Sequence, residues 1–171
     1  MGDKRLSAEE VSELYERHGP ALVVYACGYV VNTACAEDVV HGVFQRLLAG
    51  HVGPLEYATG YLYRAVRNAA LNARRNGTRD ASLDEPCFVH REGNREAALA
   101  LQRALSELPE EQRAVVVMRI WDGLTLQEAA EATGVPLNTA ASRYRYAIEK
   151  LRERLQPYEL KPREKERDEE R

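Results

Sequence analysis

Asn138, Thr139, Ser142 and Arg143 crowd one short stretch near the end of the chain, and their chemistry suits the edges of nucleic-acid bases. An arginine can bond a guanine through two parallel hydrogen bonds, and an asparagine can do the same with an adenine. Arg145, Tyr146 and Lys150 follow at spacings that suit phosphate contacts. The residues ahead of this set explain how it would be held. Thr125 and Glu128 have the spacing of a capping box at a helix start, and Thr125, at the entrance to the motif, is counted with the DNA-binding set. Ala129, Ala130 and Ala132 are small enough for a second helix to approach closely. Thr133-Gly134-Val135 reads as a tight turn in which Gly134 permits a positive φ. Pro136 opens a loop, Asn138 or Thr139 caps, and a helix runs from Ala140 to Leu155 with Ala141, Tyr144, Ile148 and Leu151 inward. Together this is a helix-turn-helix, whose second helix can lie in a major groove.

A second set lies in the first half. Tyr61, Arg64, Asn68, Asn72 and Arg75 recur at spacings of three and four, close to one helix face, with Arg67 beside them. An aromatic ring with arginines and asparagines suits flipped or single-stranded bases, each stacked base contributing roughly 1–3 kcal/mol. The ordinary alternative is a helix with its tyrosines in the core and its arginines in solvent.

Nothing points to catalysis. His18, His41, His51 and His90 do not cluster with acids at metal-ligand spacing, and Cys87-x-x-His90 is half of a zinc site without its second pair. There is no glycine-rich phosphate loop and no recognisable triad. The expectation is a protein that is not an enzyme, with no metal, no cofactor and no small-molecule substrate. A nuclease using Cys87 and His90 is the remote alternative.

The net charge of −3 argues at first against nucleic acid, but local sums reverse that. From Tyr57 to Arg79 there are five arginines and no acid; from Leu137 to Leu155 there are five basic residues against Glu149 and Glu153. Binding follows the local field rather than the total. No apolar run approaches the roughly 20 residues that span a bilayer, and the first residues lack the apolar stretch of a signal peptide. The three cysteines, Cys27, Cys35 and Cys87, are read as reduced thiols, and the expected location is the cytoplasm, without a membrane partner.

Almost every patterned stretch is helical. Ser7 and Glu10 form a capping box, with Val11, Leu14, Tyr15 and His18 following on one face. Gly19-Pro20 is expected to break that helix, and Leu22 to Val31 is read as a second, buried one. Ala36 to Ala49 carries Val39, Val40, Val43, Phe44, Leu47 and Leu48 at helical spacing and closes at Gly50. Tyr57 to Arg75 is a long helix, in which Gly60 costs about 1 kcal/mol relative to Ala and allows a bend. Residues 77–94 lose periodicity and read as a linker. Helices resume at Arg95, stop before Pro109, and continue from Glu110 to Trp121, with a turn at Asp122-Gly123. The fold class is therefore all-α: a helical domain over residues 7–76, a flexible linker over 77–94, a helix-turn-helix domain over 95–155, and a charged tail over 156–171.

Leu105-x-x-Leu108-Pro109-x-x-Gln112-Arg113, Gly123-Leu124-Thr125-x-x-Glu128-Ala129-Ala130 and Gly134-Val135-Pro136-x-x-Thr139-x-x-Ser142-Arg143 resemble the sigma-4 domain of extracytoplasmic-function sigma factors, which reads the −35 promoter element. Leu14-Tyr15 and Ala36-Glu37-Asp38-Val39-Val40-x-x-Val43-Phe44 resemble the sigma-2 helix that grips core polymerase. Tyr61-Leu62-Tyr63-Arg64, with Arg67-Asn68, Asn72 and Arg75, resembles the helix that melts and reads the −10 element. The resemblance implies core RNA polymerase and promoter DNA as partners, with Asp38, His41, Phe44 and Gln45 at the polymerase contact. Many members of the family are held by an anti-sigma protein, and nothing in the sequence identifies one. The chain departs from the family pattern at Ala141, where a Lys is frequent, at His41 for Gln, at Asn72 for Asp and at Tyr61 for Trp. The competing reading is a helix-turn-helix regulator that never joins polymerase. Such regulators carry a βα receiver or a ligand domain, whereas residues 7–75 read as helix throughout.

Overall fold

A computed structural model describes residues 6–30, 32–50, 58–76 and 95–158, and among them every regular element is helical. The helices are α1 (Ala8–Ala26), α2 (Thr33–Leu48), α3 (Ala58–Arg75), α4 (Arg95–Ser106), α5 (Glu110–Ile120), α6 (Leu126–Thr133) and α7 (Leu137–Leu155), followed by a 3-10 turn, Gln156–Tyr158. The stretch read as a linker and most of the charged tail lie outside the described residues, as do Cys87, His90 and His51.

Local chemistry sets most helix ends. At the start of α1 the Ser7 hydroxyl accepts from the Glu10 amide while the Glu10 carboxylate accepts from the Ser7 amide at 2.7 Å, which completes the capping box. Asn32 caps α2 through the Cys35 amide. The expected break at Gly19-Pro20 does not occur, for α1 runs through Pro20 to Ala26. His18, Gly19, Ala21 and Leu22 are all buried there. Packing on both sides of the proline outweighs the one hydrogen bond its missing N–H forfeits. The apolar run ends in a turn over Cys27–Val30 instead of forming a helix of its own. Cys35 is a free thiol, but Cys27 is disulfide-bonded, which corrects the reading of three reduced cysteines. An odd count of cysteines says nothing about which of them come near one another.

α1, α2 and α3 pack on one another around Leu22, Val40, Val43, Leu62 and Val66. α4, α5, α6 and α7 form the second unit. Helix α5 is the spine of the molecule, buried continuously from Arg113 to Met118, as expected of a helix with neighbours all round. Val115, Val117 and Met118 join the core of the first unit, while Val116 joins Leu105, Leu108, Ala147 and Leu151 in a smaller second core. The two units therefore share one apolar seam, with α1 against α5 and α3 against α6.

Candidate functional site

α7 starts earlier than expected. Pro136 takes the capping position, with extended backbone and no side-chain cap, and the helix begins at Leu137. Proline's fixed φ suits that position, so neither Asn138 nor Thr139 is spent as a cap, and both lie inside the first turn. Ala140, Ala147 and Leu151 are buried, with Tyr144 and Ile148 packed at the edge; Ala141, expected inward, is only half-buried. The opposite face exposes Asn138, Arg145, Tyr146 and Lys150, while Thr139, Ser142 and Arg143 are half-buried. The Arg145 guanidinium lies over the Tyr146 ring, 5.1 Å from its centroid.

The turn that aims α7 is fixed by backbone. Gly134 closes α6 with φ 68°, the left-handed conformation that glycine adopts without penalty. Its amide bonds back to Ala130 and Glu131, and the Val135 amide reaches the Ala130 carbonyl at 3.0 Å. Ala129 and Ala130 are buried where α6 meets its neighbours. At the other end of α6, the Thr125 hydroxyl donates to the Glu128 carboxylate at 2.9 Å and accepts from the Glu128 amide at 3.2 Å. The Thr125 amide and hydroxyl hold the Glu128 carboxyl below the usual range. The Thr125 hydroxyl is thus committed to the cap of α6.

On α3, Leu62, Tyr63, Val66 and Ala70 are buried, and Arg64, Asn68, Asn72 and Arg75 are exposed together. Arg75 donates to the Asn72 side chain, and Arg67 donates to Asn68 at 3.3 Å. Tyr61 is half-buried and packs against the core. Arg67 is also ion-paired with Glu110 of α5, which raises its pKa. Gly60, where a bend was expected, has another role: a Cβ there would run into the Ala132 carbonyl of α6, so glycine is what lets α3 and α6 touch.

α2 divides as its periodicity predicts. Val39, Val40, Val43 and Leu47 are buried, and Asp38, His41 and Gln45 are exposed. Phe44, expected at the polymerase contact, is only 4% exposed and stacks edge-on against Tyr15 at 5.0 Å. Phe44 forms part of the lining of a groove. The groove is lined by Val11, Tyr15, His41, Phe44, Gln45 and Leu48, and the Tyr15 hydroxyl meets His41 Nε2 at 2.8 Å. Leu48 is 56% exposed on its rim. In the sequence Leu48 stands at helical spacing with the buried Val43, Phe44 and Leu47, and Val11 has no part in a site. No sequence signal separates an apolar rim from an apolar core.

Two buried polar assemblies went unforeseen. His18, 3% exposed, has Nδ1 2.9 Å from both carboxylate oxygens of Asp122, and the Tyr63 hydroxyl donates to the same carboxylate at 3.1 Å. Arg113, 6% exposed, donates to the carbonyls of Leu105 (2.8 Å), Ser106 (2.9 Å), Leu108 (3.1 Å) and Gly28 (2.8 Å). Its guanidinium also sits 4.4 Å from the centroid of the Tyr29 ring. One buried cation thereby satisfies the open carbonyls at the end of α4 and crosses to the first unit.

Known proteins match along the same division. Residues 14–80 match the family described as Sigma-70 region 2, and residues 98–151 match Sigma-70, region 4. The ECF RNA polymerase sigma factor SigM of Mycobacterium tuberculosis is 32% identical over 139 residues, covering 77% of this chain and 69% of its own. The ECF RNA polymerase sigma factor RpoE of Cereibacter sphaeroides is 28% identical over 155 residues, covering 84% and 85%. In fold, the chain is similar to the sigma factor RpoE of Bartonella quintana, solved in complex with the anti-sigma factor NepR, with a TM-score of 0.62, 21% identity and coverage of 88% and 98%. The chain belongs to the extracytoplasmic-function family of RNA polymerase sigma factors. Its function is that of a sigma factor in the initiation of transcription.

Proposed function

We propose that the chain docks on core RNA polymerase through α2, opens and reads the −10 element with α3, and reads the −35 element with α7. In this reading residues 7–76 and 95–155 are the two working domains, joined by the 77–94 linker. Asp38, His41 and Gln45 form a polar row beside the Tyr15–Phe44–Leu48 groove. That pairing of exposed polar and apolar surface is the observation that carries the proposal, because a free-standing regulator has no need of it. Arg64, Asn68, Asn72 and Arg75 share an exposed face of α3, and Arg143 with Asn138 leads α7. No helix of the described residues is long and apolar enough to cross a membrane, which fits work in the cytoplasm. An anti-sigma protein is proposed as a further partner by analogy with the Bartonella quintana complex.

Replacing Asp38 and Gln45 together by Ala tests the docking surface. Both are exposed, so helical circular dichroism should not change. Affinity for purified core polymerase should fall at least tenfold, about 1.4 kcal/mol. A double variant that binds core polymerase as tightly as wild type would overturn the assignment of docking to this face of α2.

A further inference from the structure

The chain has three cysteines, Cys27, Cys35 and Cys87. Cys27 is disulfide-bonded and Cys35 is a free thiol, so by count the partner of Cys27 is Cys87, in the stretch read as a linker. Where thiols are kept reduced, as in the compartment where transcription is initiated, a disulfide is a transient, redox-responsive state. Cys27 is also a firm anchor. It is 2% exposed within the first core. Arg113 grips the two residues after it, donating to the Gly28 carbonyl at 2.8 Å and lying 4.4 Å from the centroid of the Tyr29 ring.

The bond decides how far apart the two helical units can stand. Nineteen peptide steps join Asn76 to Arg95, about 65 Å when extended at ~3.4 Å per step. With Cys87 held on the first unit, eight steps remain between it and Arg95, about 27 Å. Each unit adds roughly 11 Å, its radius of gyration. The −10 and −35 elements are named for positions about 25 base pairs apart, or ~85 Å of duplex at ~3.4 Å per pair. The full linker meets that span, and the shortened one misses it by roughly 35 Å. We propose that Cys27 and Cys87 are a reversible redox site that sets this reach: the dithiol chain serves both elements and the disulfide chain cannot. Hydrogen peroxide is the oxidant. The two thiols give up two protons and two electrons as the S–S bond forms, and the O–O bond breaks to give two waters. A dithiol reductant reverses the step by thiol–disulfide exchange and leaves as its own disulfide. The proposal rests on the reading of α3 and α7 as the −10 and −35 contacts.

The test compares full-length wild type, Cys87→Ser and Cys35→Ser after peroxide or dithiothreitol, each reagent being removed before core polymerase is added. Peroxide-treated wild type should keep one free thiol and yield a linked Cys27–Cys87 peptide by mass spectrometry. Its run-off transcription, from a genomic promoter selected with the reduced chain, should fall at least tenfold and return with dithiothreitol, while its affinity for core polymerase is unchanged. Cys87→Ser should transcribe equally after either treatment, and Cys35→Ser should follow wild type. Three free thiols after peroxide overturn the proposal. So does a bond from Cys27 to a second chain, seen as a doubled mass on a non-reducing gel. A linked chain that transcribes like the reduced one sinks the switch alone. Reduced wild type that selects no promoter overturns the underlying reading of α3 and α7, and the switch with it.

Discussion

The two units hold α3 and α7 by different means. α3 is backed by bulky side chains, Leu62 and Val66 against Leu22, Val40 and Val43. α7 meets its neighbours through alanines, Ala140 and Ala147 of its own and Ala129 and Ala130 of α6, while Leu105, Leu108 and Val116 of the α4–α5 region form a small apolar core beside it. Those neighbours are fixed by caps: Gly134 at the α6 end, the Thr125–Glu128 box, and Arg113 on the carbonyls that close α4. The first unit depends on filled volume. The second adds close backbones and satisfied polar groups to a smaller apolar core, which gives a stiff frame from few atoms but little tolerance for an added one at the α6–α7 contact.

The sharpest test of that contrast is Arg113→Ala. It strips four carbonyls of their charged donor and should cost about 4 kcal/mol by urea unfolding, more than any single truncation in the first core. A loss under about 1 kcal/mol would mean that water replaces the guanidinium and that caps do not hold the second unit. Next come opposed changes of volume. Leu22→Ala should cost about 3 kcal/mol through the cavity it leaves, and Ala130→Leu about 2 kcal/mol through overpacking, with Ala130→Gly far milder than its buried position suggests. Equal tolerance of added bulk in both units would erase the distinction.

On the DNA side, Arg143→Ala should weaken binding to the preferred upstream element by about 1–3 kcal/mol and relax preference at one base pair. Lys150→Ala should weaken all sequences alike and make the salt slope shallower by about one unit. The smallest effect concerns the seam. Burial first, and then the Asp122 carboxylate, push the Tyr63 hydroxyl well above its ordinary pKa, with Tyr25 adding to the shift. A raised folded pKa means that the contribution of Tyr63 is complete below the unfolded value near ~10 and is lost as pH rises past it. Tyr63→Phe should therefore flatten, in part, the fall in urea midpoint between about pH 9 and 11; Tyr25 and Tyr29, also shifted upward by burial, keep the remainder.

Most of this was legible wherever the signal is local. The capping boxes at Ser7–Glu10 and Thr125–Glu128, the α6–α7 turn at Gly134 and the split faces of α2 follow from neighbours within four residues. The sequence failed where the answer was distant or energetic. Asp122 reads as a turn residue beside Gly123, yet its partner His18 is 104 positions away. Gly60 reads as a weak point in a helix, and only the approach of Ala132 explains it. Pro20 reads as a breaker because its lost hydrogen bond is visible in sequence and the burial that compensates for it is not. Phe44 has the spacing of either core or contact, and only depth decides.

The length of the His18–Asp122 connection also has a meaning in time. Contacts so far apart in sequence form late, after the local helices have closed. A ribosome adds about 5–20 residues per second, so about 46 residues must follow Asn76 before Asp122 exists, a delay of roughly 2–9 s. For that interval a nascent chain can have its first three helices assembled around Leu22 and Val66 while the Gly60 face of α3 has nothing to lie against. Each new molecule passes through an uncovered youth before it acquires the means to cover itself.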